Sequence, residues 1–140
     1  MDGAGKFLQF AGGSSKLRAM SPLALVLYEK ILPGSQVVNR LQDLDWRVQT
    51  VADSSALTSQ AMRETPMVVI VDLFSSRGDV CAAITHLKKN PGTEHITVIA
   101  FGEGEPAQNA ARLAGAGLVV GEAAILSHLA PILEQALTQF

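Results

Sequence analysis

The sequence is poor in cysteine, in clustered positive charge and in long apolar runs. Cys81 is the single cysteine among 140 residues, so no disulfide can form within the chain, and we expect a reducing, cytoplasmic setting. The longest apolar runs have the length of strands, far below the roughly 20 residues that a membrane-spanning helix needs. The sequence therefore predicts a cytoplasmic protein that is not embedded in a membrane.

Positive charge is balanced by negative charge along the whole chain. Lysine and arginine total 11, aspartate and glutamate total 13, and the formal net charge is −2. Proteins that bind nucleic acid through its phosphates concentrate basic residues on one surface. Because the basic residues here are scattered, we do not expect this chain alone to bind nucleic acid. With 48% hydrophobic residues, it is long enough for one compact domain with a substantial core.

The first 20 residues differ in composition from the rest. Gly12, Gly13, Ser14 and Ser15 are typical of linkers, and the segment lacks the apolar core and cleavage pattern of a signal peptide. We predict a flexible leader over residues 1–20 and a folded domain over residues 21–140. The alternative is that the short apolar patch at residues 7–10 docks on the domain or on a partner.

From residue 22 onward, strand-like apolar runs alternate with stripes of helical spacing. The run 67–72 is continuously apolar until it ends on the carboxylate of Asp72, which is typical of a strand buried on both faces. Predicted strands are residues 23–27, 46–51, 67–72, 96–101 and 118–120. The helical stripes are Val37, Val38, Leu41 and Leu44; Ala56, Leu57, Ala61 and Met62; Val80, Ala83, Ile84 and Leu87; Ala110, Ala111 and Leu113; and Ile125, Leu129, Ile132, Leu133 and Leu137.

Pro131 interrupts the last of these helical stripes. Proline inside a helix removes a backbone hydrogen bond and collides with the preceding turn. We therefore expect the final helix either to start late, with Ser127 as its cap, or to bend at Pro131.

Five strands alternating with helices predict an α/β fold with a doubly wound parallel sheet. We expect the flavodoxin-like order 2-1-3-4-5, with helices on both faces. In that order the carboxyl ends of strands one and three border the ligand crevice. Glu29 and Asp72 would then face each other, and two carboxylates are the minimum donors for Mg²⁺.

The region 22–140 resembles the receiver domain of bacterial two-component response regulators. The resemblance rests on residues 24–29 and 45–48, on the strand carrying Asp72, on the helix exit 86–91 followed by the strand 96–99, and on the turn 114–117. It implies that Asp72 occupies the phosphoacceptor position.

Other functional positions of the receiver family are changed in this sequence. Its acidic pair falls on Tyr28 and Glu29, and its hydroxyl residue after strand four falls on Gly102. Its lysine falls on Glu122, or on Gly121 in the neighbouring register. Since phosphoryl transfer depends on positive groups and metal ligands around the phosphate, the resemblance implies impaired or absent phosphorylation of Asp72.

The leading functional hypothesis is a receiver-like signalling domain that acts through protein–protein interaction. It is not an enzyme, requires no cofactor, and binds another signalling protein or a second copy of itself. The resemblance suggests a contact surface on the last helices and the fifth strand, although these alanines would also suit packing on the sheet. The candidate contact residues are Ala107, Ala110, Ala111, Ala114, Leu126 and Ala130.

Two alternatives remain open from the sequence. In the first, Glu29 and Asp72 bind Mg²⁺ weakly and the domain is a slow phosphoacceptor in a phosphorelay. In the second, the crevice binds a small molecule such as a nucleotide, although only one glycine, Gly34, follows the first strand where a phosphate-binding loop needs several.

Overall fold

The computed structural model describes residues 22–28, 31–51, 53–73 and 79–137, with side chains in the first helix described from Gly34 onward. The predicted leader, Glu29 and the loop after Asp72 lie outside the described residues. None of the helices in the described part is long and apolar enough to cross a bilayer.

The described strands form one five-stranded parallel sheet in the order β2-β1-β3-β4-β5. This confirms the predicted fold class and strand order. Each strand begins at what we call the amino edge of the sheet and finishes at the carboxyl edge. The strands are β1 Leu23–Leu27, β2 Arg47–Val51, β3 Val68–Asp72, β4 Thr97–Phe101 and β5 Leu118–Val120.

Helices cover both faces of the sheet. A 3₁₀ turn, Ser54–Ala56, precedes the second helix and is capped by Asp53, whose carboxylate accepts a hydrogen bond from the Ser55 amide. The helices are α1 Ile31–Asp43, α2 Leu57–Glu64, α3 Val80–Lys89, α4 Glu105–Ala114, α5 Glu122–Ser127 and α6 Leu129–Leu137.

Side chains alternate between the two faces because successive residues of a strand point in opposite directions. Along β1, Leu25 and Leu27 pack in a core with α2, α3 and α4, which we call the front layer. Ala24 and Val26 pack in a second core with α1, α5 and α6, which we call the back layer. A strand buried on both sides must be apolar throughout, as the β1 sequence is.

The apolar stripe predicted for α3 is fully confirmed, since Val80, Ala83, Ile84 and Leu87 are all buried. The helix starts at Asp79, whose carboxylate Oδ1 accepts the Ala82 amide at 3.0 Å. Such an acceptor satisfies one of the amides that have no partner inside the helix.

Four positions in the predicted apolar faces are exposed instead, among them Leu44, which is 40% exposed after α1, and Ala110 of α4. Leu113 in α4 is 90% exposed and Met62 in α2 is 50% exposed. In α4 the buried residue is Ala111, and a residue two positions further is rotated by about 200° around the helix. Leu113 must therefore face away from the sheet when Ala111 faces it.

The final helical region is divided into two helices. α5 ends at Ser127, His128 leaves helical geometry with φ −129° and ψ 34°, and α6 begins at Leu129. Pro131 has no amide to bond back to the carbonyl of Ser127 and its ring crowds that carbonyl. The break thus lies before Pro131, and the predicted cap is wrong: the Ser127 hydroxyl donates back to the Ala123 carbonyl at 2.7 Å.

Candidate functional site

Asp72 is the last residue of β3 and lies at the carboxyl edge with only 4% of its surface exposed. On one side it pairs in register with Phe101 of β4. On the other side Leu27 pairs with Val71, so Tyr28 follows beside Asp72. The predicted phosphoacceptor position is therefore flanked by aromatic residues on both neighbouring strands.

Tyr28 fills space against the first helix of the back layer. Its ring packs against the back-layer core, and a Cβ atom added at Gly34 of α1 would overlap the ring carbons. Glycine is thus required where the ring meets the helix backbone. The ring contributes an apolar surface that stabilises the contact between β1 and α1.

Gly102, which the resemblance matches to the family's hydroxyl residue, is held through its backbone. Its amide donates to the Val120 carbonyl at 3.1 Å. Its carbonyl accepts from Gln108 Nε2 of α4 at 2.8 Å. The end of β4 is therefore tied both to β5 and to α4 without a side chain that could reach Asp72.

Glu103 is the residue that sequence reasoning missed. Its carboxylate Oε2 accepts the backbone amide of Glu122 at 2.7 Å. The same oxygen lies 2.8 Å from the point where a side chain at Gly121 would begin. Both positions to which the resemblance assigns the family's lysine thus contact a carboxylate, which reverses the local charge.

No local sequence pattern predicts this contact, because Glu103 and Glu122 are 19 residues apart. They meet only because the loop after β4 passes the start of α5 at the carboxyl edge. Glu122 itself contributes its amide to the contact. A carboxylate at the first turn of a helix is favourable, since amide groups and the helix dipole both attract negative charge there.

The described residues alone do not make a Mg²⁺ site. Among residues 22–28, 31–51, 53–73 and 79–137, no three histidine, cysteine, aspartate or glutamate side chains are grouped for metal binding. Asp72 supplies one carboxylate, and Tyr28 and Phe101 beside it supply none. Mg²⁺ requires near-octahedral oxygen coordination, so the predicted partnership of Asp72 with Glu29 stays a prediction.

Cys81, in the first turn of α3, is partly buried. Burial raises the pKa of the Cys81 thiol, and the negative charge of Asp79 raises this pKa further. The thiol therefore stays protonated at neutral pH and is a poor nucleophile.

Comparison with models of known protein families gives no match, and comparison with curated protein sequences gives none either. Solved structures do match. The receiver domain of a sensor histidine kinase from Pseudomonas aeruginosa, with magnesium in its active-site cleft, is 17% identical with a TM-score of 0.77; the match covers 84% of this chain and 98% of that one. A signal receiver domain of a histidine kinase from Syntrophus aciditrophicus is 16% identical with a TM-score of 0.74, covering 84% and 91%.

One of the matching structures is a longer protein, of which only part corresponds to this chain. NtrX from Brucella abortus is 20% identical with a TM-score of 0.73, and the match covers 84% of this chain but 27% of NtrX. This chain has the receiver fold. Sequence identity to all three structures is at or below 20%, so the likeness establishes the architecture and leaves the chemistry of this particular receiver fold to its own residues.

The predicted contact surface is only partly at the surface of the receiver fold. Ala110 and Ala130 are exposed, whereas Ala107, Ala114 and Leu126 are half-buried. Ala111 is fully buried in the front-layer core, so it packs on the sheet and is not accessible to a partner. The structure adds Leu113, which projects from α4 with 90% of its surface exposed.

A groove of about 400 Å³ lies between α2 and α3 in the front layer. Its described lining includes no residue of β1 or β3. Its described lining includes one acid and neither lysine nor arginine, which does not suit an anionic nucleotide. The described lining residues are Ser54, Ser55, Thr58, Asp79, Ala82, Ala83 and His86.

Proposed function

We propose that this chain is a signalling domain with the receiver fold that works by binding another protein and is not controlled by ordinary aspartyl phosphorylation. The observation that carries the proposal is the Glu103 carboxylate, which bonds to the Glu122 amide and lies against Gly121. A lysine there would attract the phosphoryl oxygens, whereas a carboxylate repels them.

Magnitudes support the same conclusion. Each contact from a positive side chain or a metal ion to the phosphoryl group stabilises the transition state of its transfer by about 2–4 kcal/mol. Since about 1.4 kcal/mol corresponds to a tenfold change in rate, losing two such contacts slows the transfer by several orders of magnitude. The replacement of an acid by Tyr28 and of a lysine by Gly121 or Glu122 is a loss of this size.

The decisive experiment uses a small phosphodonor with Mg²⁺, followed at once by intact-mass measurement. We expect no phosphoryl adduct on this chain, with a receiver domain that the same phosphodonor labels as the positive control. Asp72→Asn is the matched negative control. An adduct on the unmodified chain that disappears in Asp72→Asn would overturn the proposal.

One observation favours the alternative of a slow phosphoacceptor. Asp72 has kept its place at the end of β3, and a structural neighbour holds magnesium in its cleft. In this alternative Glu29 and Asp72 hold Mg²⁺, and slow labelling of Asp72 should require the metal. Labelling that accumulates over hours, needs Mg²⁺ and is lost in Glu29→Gln would favour it.

For the partner, we infer a surface formed by α4, β5 and the helices that follow. Leu113 and Ala110 present exposed apolar surface there, and small side chains permit close approach. The partner is a signalling protein or a second copy of the chain, and the proposal includes a cytoplasmic setting, no enzymatic activity and no direct binding of nucleic acid.

Sedimentation at increasing concentration tests the second copy. We expect dimers that dissociate in Leu113→Ser, while Leu44→Ser, at an exposed leucine that follows α1 in the back layer, leaves association unchanged. A chain that stays monomeric at high micromolar concentration contradicts the homodimer and leaves a different protein as the partner.

A further inference from the structure

Two half-exposed methionines lie at the amino edge of the sheet on the front side. Met67, directly before β3, is 49% exposed, and Met62, in the last turn of α2, is 50% exposed. Met67 lies two residues before Val69, which belongs to the front-layer core, so both point to the same face. We call these two side chains the methionine surface.

The sulfur of Met62 is fixed by a neighbouring turn. Asn90 Nδ2 donates to Met62 Sδ at 3.3 Å, and the Met62 methyl lies 3.8 Å from the Cβ position of Gly92. Asn90 and Gly92 belong to the turn that leads from α3 to β4 at the amino edge. Met62 is thus held against a structured turn of that edge.

The chain enters the sheet beside this surface. The Met67 amide donates to the Leu23 carbonyl at 2.9 Å, and the Arg47 amide donates to the Pro22 carbonyl at 2.8 Å. Pro22, the first described residue, therefore lies at the amino edge beside the start of β2, and Leu23 lies beside the start of β3. Met67 is thus hydrogen-bonded through its backbone to Leu23, the residue that follows Pro22.

The amino-terminal segment carries an apolar group that matches the methionine surface. Phe7, Leu8 and Phe10 are separated from Pro22 by residues 11–21, which include Gly12-Gly13-Ser14-Ser15. Eleven residues span at most about 36–40 Å when fully extended, so the group can reach the methionine surface from its point of departure. A short tether raises the effective concentration of the group to the millimolar range.

We propose that residues 7–10 dock in cis on the methionine surface, with the rings of Phe7 and Phe10 against the thioethers of Met62 and Met67. Thioether groups adapt to irregular partners and make favourable contacts with aromatic rings. This contact removes the two phenylalanine rings and the two methionine side chains from water. The proposal is independent of the phosphorylation state of Asp72.

Methyl spectra of the full chain labelled at its methionines test the contact. Aromatic rings that pack on a methyl group shift its resonance, so we expect the Met62 and Met67 signals to move toward their unstructured positions in Phe7→Ser/Phe10→Ser. Leu44→Ser, on the opposite layer of the same edge, is the matched control and should leave both signals unchanged.

A protease provides the reciprocal measurement. Chymotrypsin cleaves after Phe7 and Phe10, and cleavage of a docked segment follows the population that is released. We expect Met62→Gln/Met67→Gln to accelerate cleavage at these sites, by the same factor by which the population of the undocked segment increases. Leu44→Gln is the control and should leave the cleavage rate unchanged.

Two results would overturn the proposal. Met62 and Met67 signals that are identical with and without Phe7 and Phe10 would show that the segment does not cover them. Signals that change with protein concentration would assign the surface to a second copy of the chain and not to its own amino-terminal segment.

Discussion

The body of the sheet and its carboxyl edge differ in the kind of side chains that they bring together. Within the sheet, every residue of β1, β3 and β4 is buried, and the faces alternate between the front and back layers. At the carboxyl edge, Asp72 is flanked by Tyr28 and Phe101, and the Glu103 carboxylate contacts the start of α5.

The difference shows which physical requirements are tolerant and which are strict. A core needs apolar side chains of suitable total volume, and many sequences meet that need. A site for phosphoryl transfer needs particular charges at particular atoms. The architecture is therefore shared at 15–20% identity with solved structures, while the edge of this chain has aromatic rings and a carboxylate of its own.

The largest expected effect lies in the body of the sheet. Leu25 is fully buried in the front-layer core, and we expect Leu25→Ala to lower the free energy of unfolding by about 3 kcal/mol because it leaves a cavity. Urea denaturation followed by circular dichroism measures this change. A loss below about 1 kcal/mol would mean that the core can collapse around the missing atoms.

A smaller effect is expected where Tyr28 meets Gly34. Replacing a helical glycine by alanine usually stabilises by about 0.5–1 kcal/mol, but here the new Cβ would collide with the Tyr28 ring. We expect Gly34→Ala to destabilise by about 1–2 kcal/mol because of this overpacking.

Tyr28→Ala provides the background that isolates this contact. In that background Gly34→Ala should become neutral or stabilising, and the double-mutant cycle measures the coupling between the two residues. Additive effects of the two substitutions would contradict the packing of the ring on the helix.

Asp72 is expected to matter less for stability than its burial suggests. Asp72→Asn keeps nearly the same shape and one carbonyl oxygen as an acceptor, so we expect the free energy of unfolding to change by less than about 1 kcal/mol. Thermal and urea unfolding of the two proteins measure the difference. A larger loss would assign Asp72 a structural role at the carboxyl edge, comparable to that of the core residues.

The smallest effect concerns the titration of Cys81. Burial, and then the negative charge of Asp79, raise the pKa of the Cys81 thiol above its usual value of 9.0. Alkylation of the folded protein should therefore reach its half-maximal rate above pH 9.0. As the pH rises past this value, the unfolded chain loses the thiol proton first. The stability from this group is therefore present below the usual pKa and is lost as the pH rises.

Iodoacetamide labelling across a pH series measures this titration. Protein unfolded in urea is the control and should show the ordinary thiol value. Asp79→Asn retains an oxygen that can cap α3 and should move the midpoint down. An unchanged midpoint would show that the Asp79 charge does not reach the thiol.

The sequence predicted the parts of the fold that depend on repeated patterns. Continuous apolar runs identified the strands, and the spacing of Val80, Ala83, Ile84 and Leu87 identified the buried face of α3. Short or small-residue helices were less informative: with alanine at four of the ten positions of α4, composition did not distinguish the face of Ala111 from that of Leu113. Pro131 indicated a break in the final helix. The break lies before Pro131, at His128, because the proline ring crowds the preceding turn.

The candidate site was predictable only where one residue follows directly from a strand. Asp72 at the end of β3 is such a residue, and its burial followed from its strand. Glu103 is not, because its contact with Glu122 depends on how two loops meet at the carboxyl edge. The placement of Tyr28 over Gly34 likewise depends on the angle at which α1 leaves β1, which no local pattern encodes.

The two outermost strands of the sheet limit how copies of the chain could aggregate. β5 has three residues and β2 has five, so a strand added from a neighbouring molecule would gain few backbone hydrogen bonds. On β2, Gln49 donates to Glu64 at 3.0 Å and accepts from Gln60 at 3.1 Å, which ties this edge strand to α2. Open sheet edges of this kind are poor templates for amyloid-like growth. Contact between copies of the chain through the exposed Leu113 is therefore less prone to lead to fibrils.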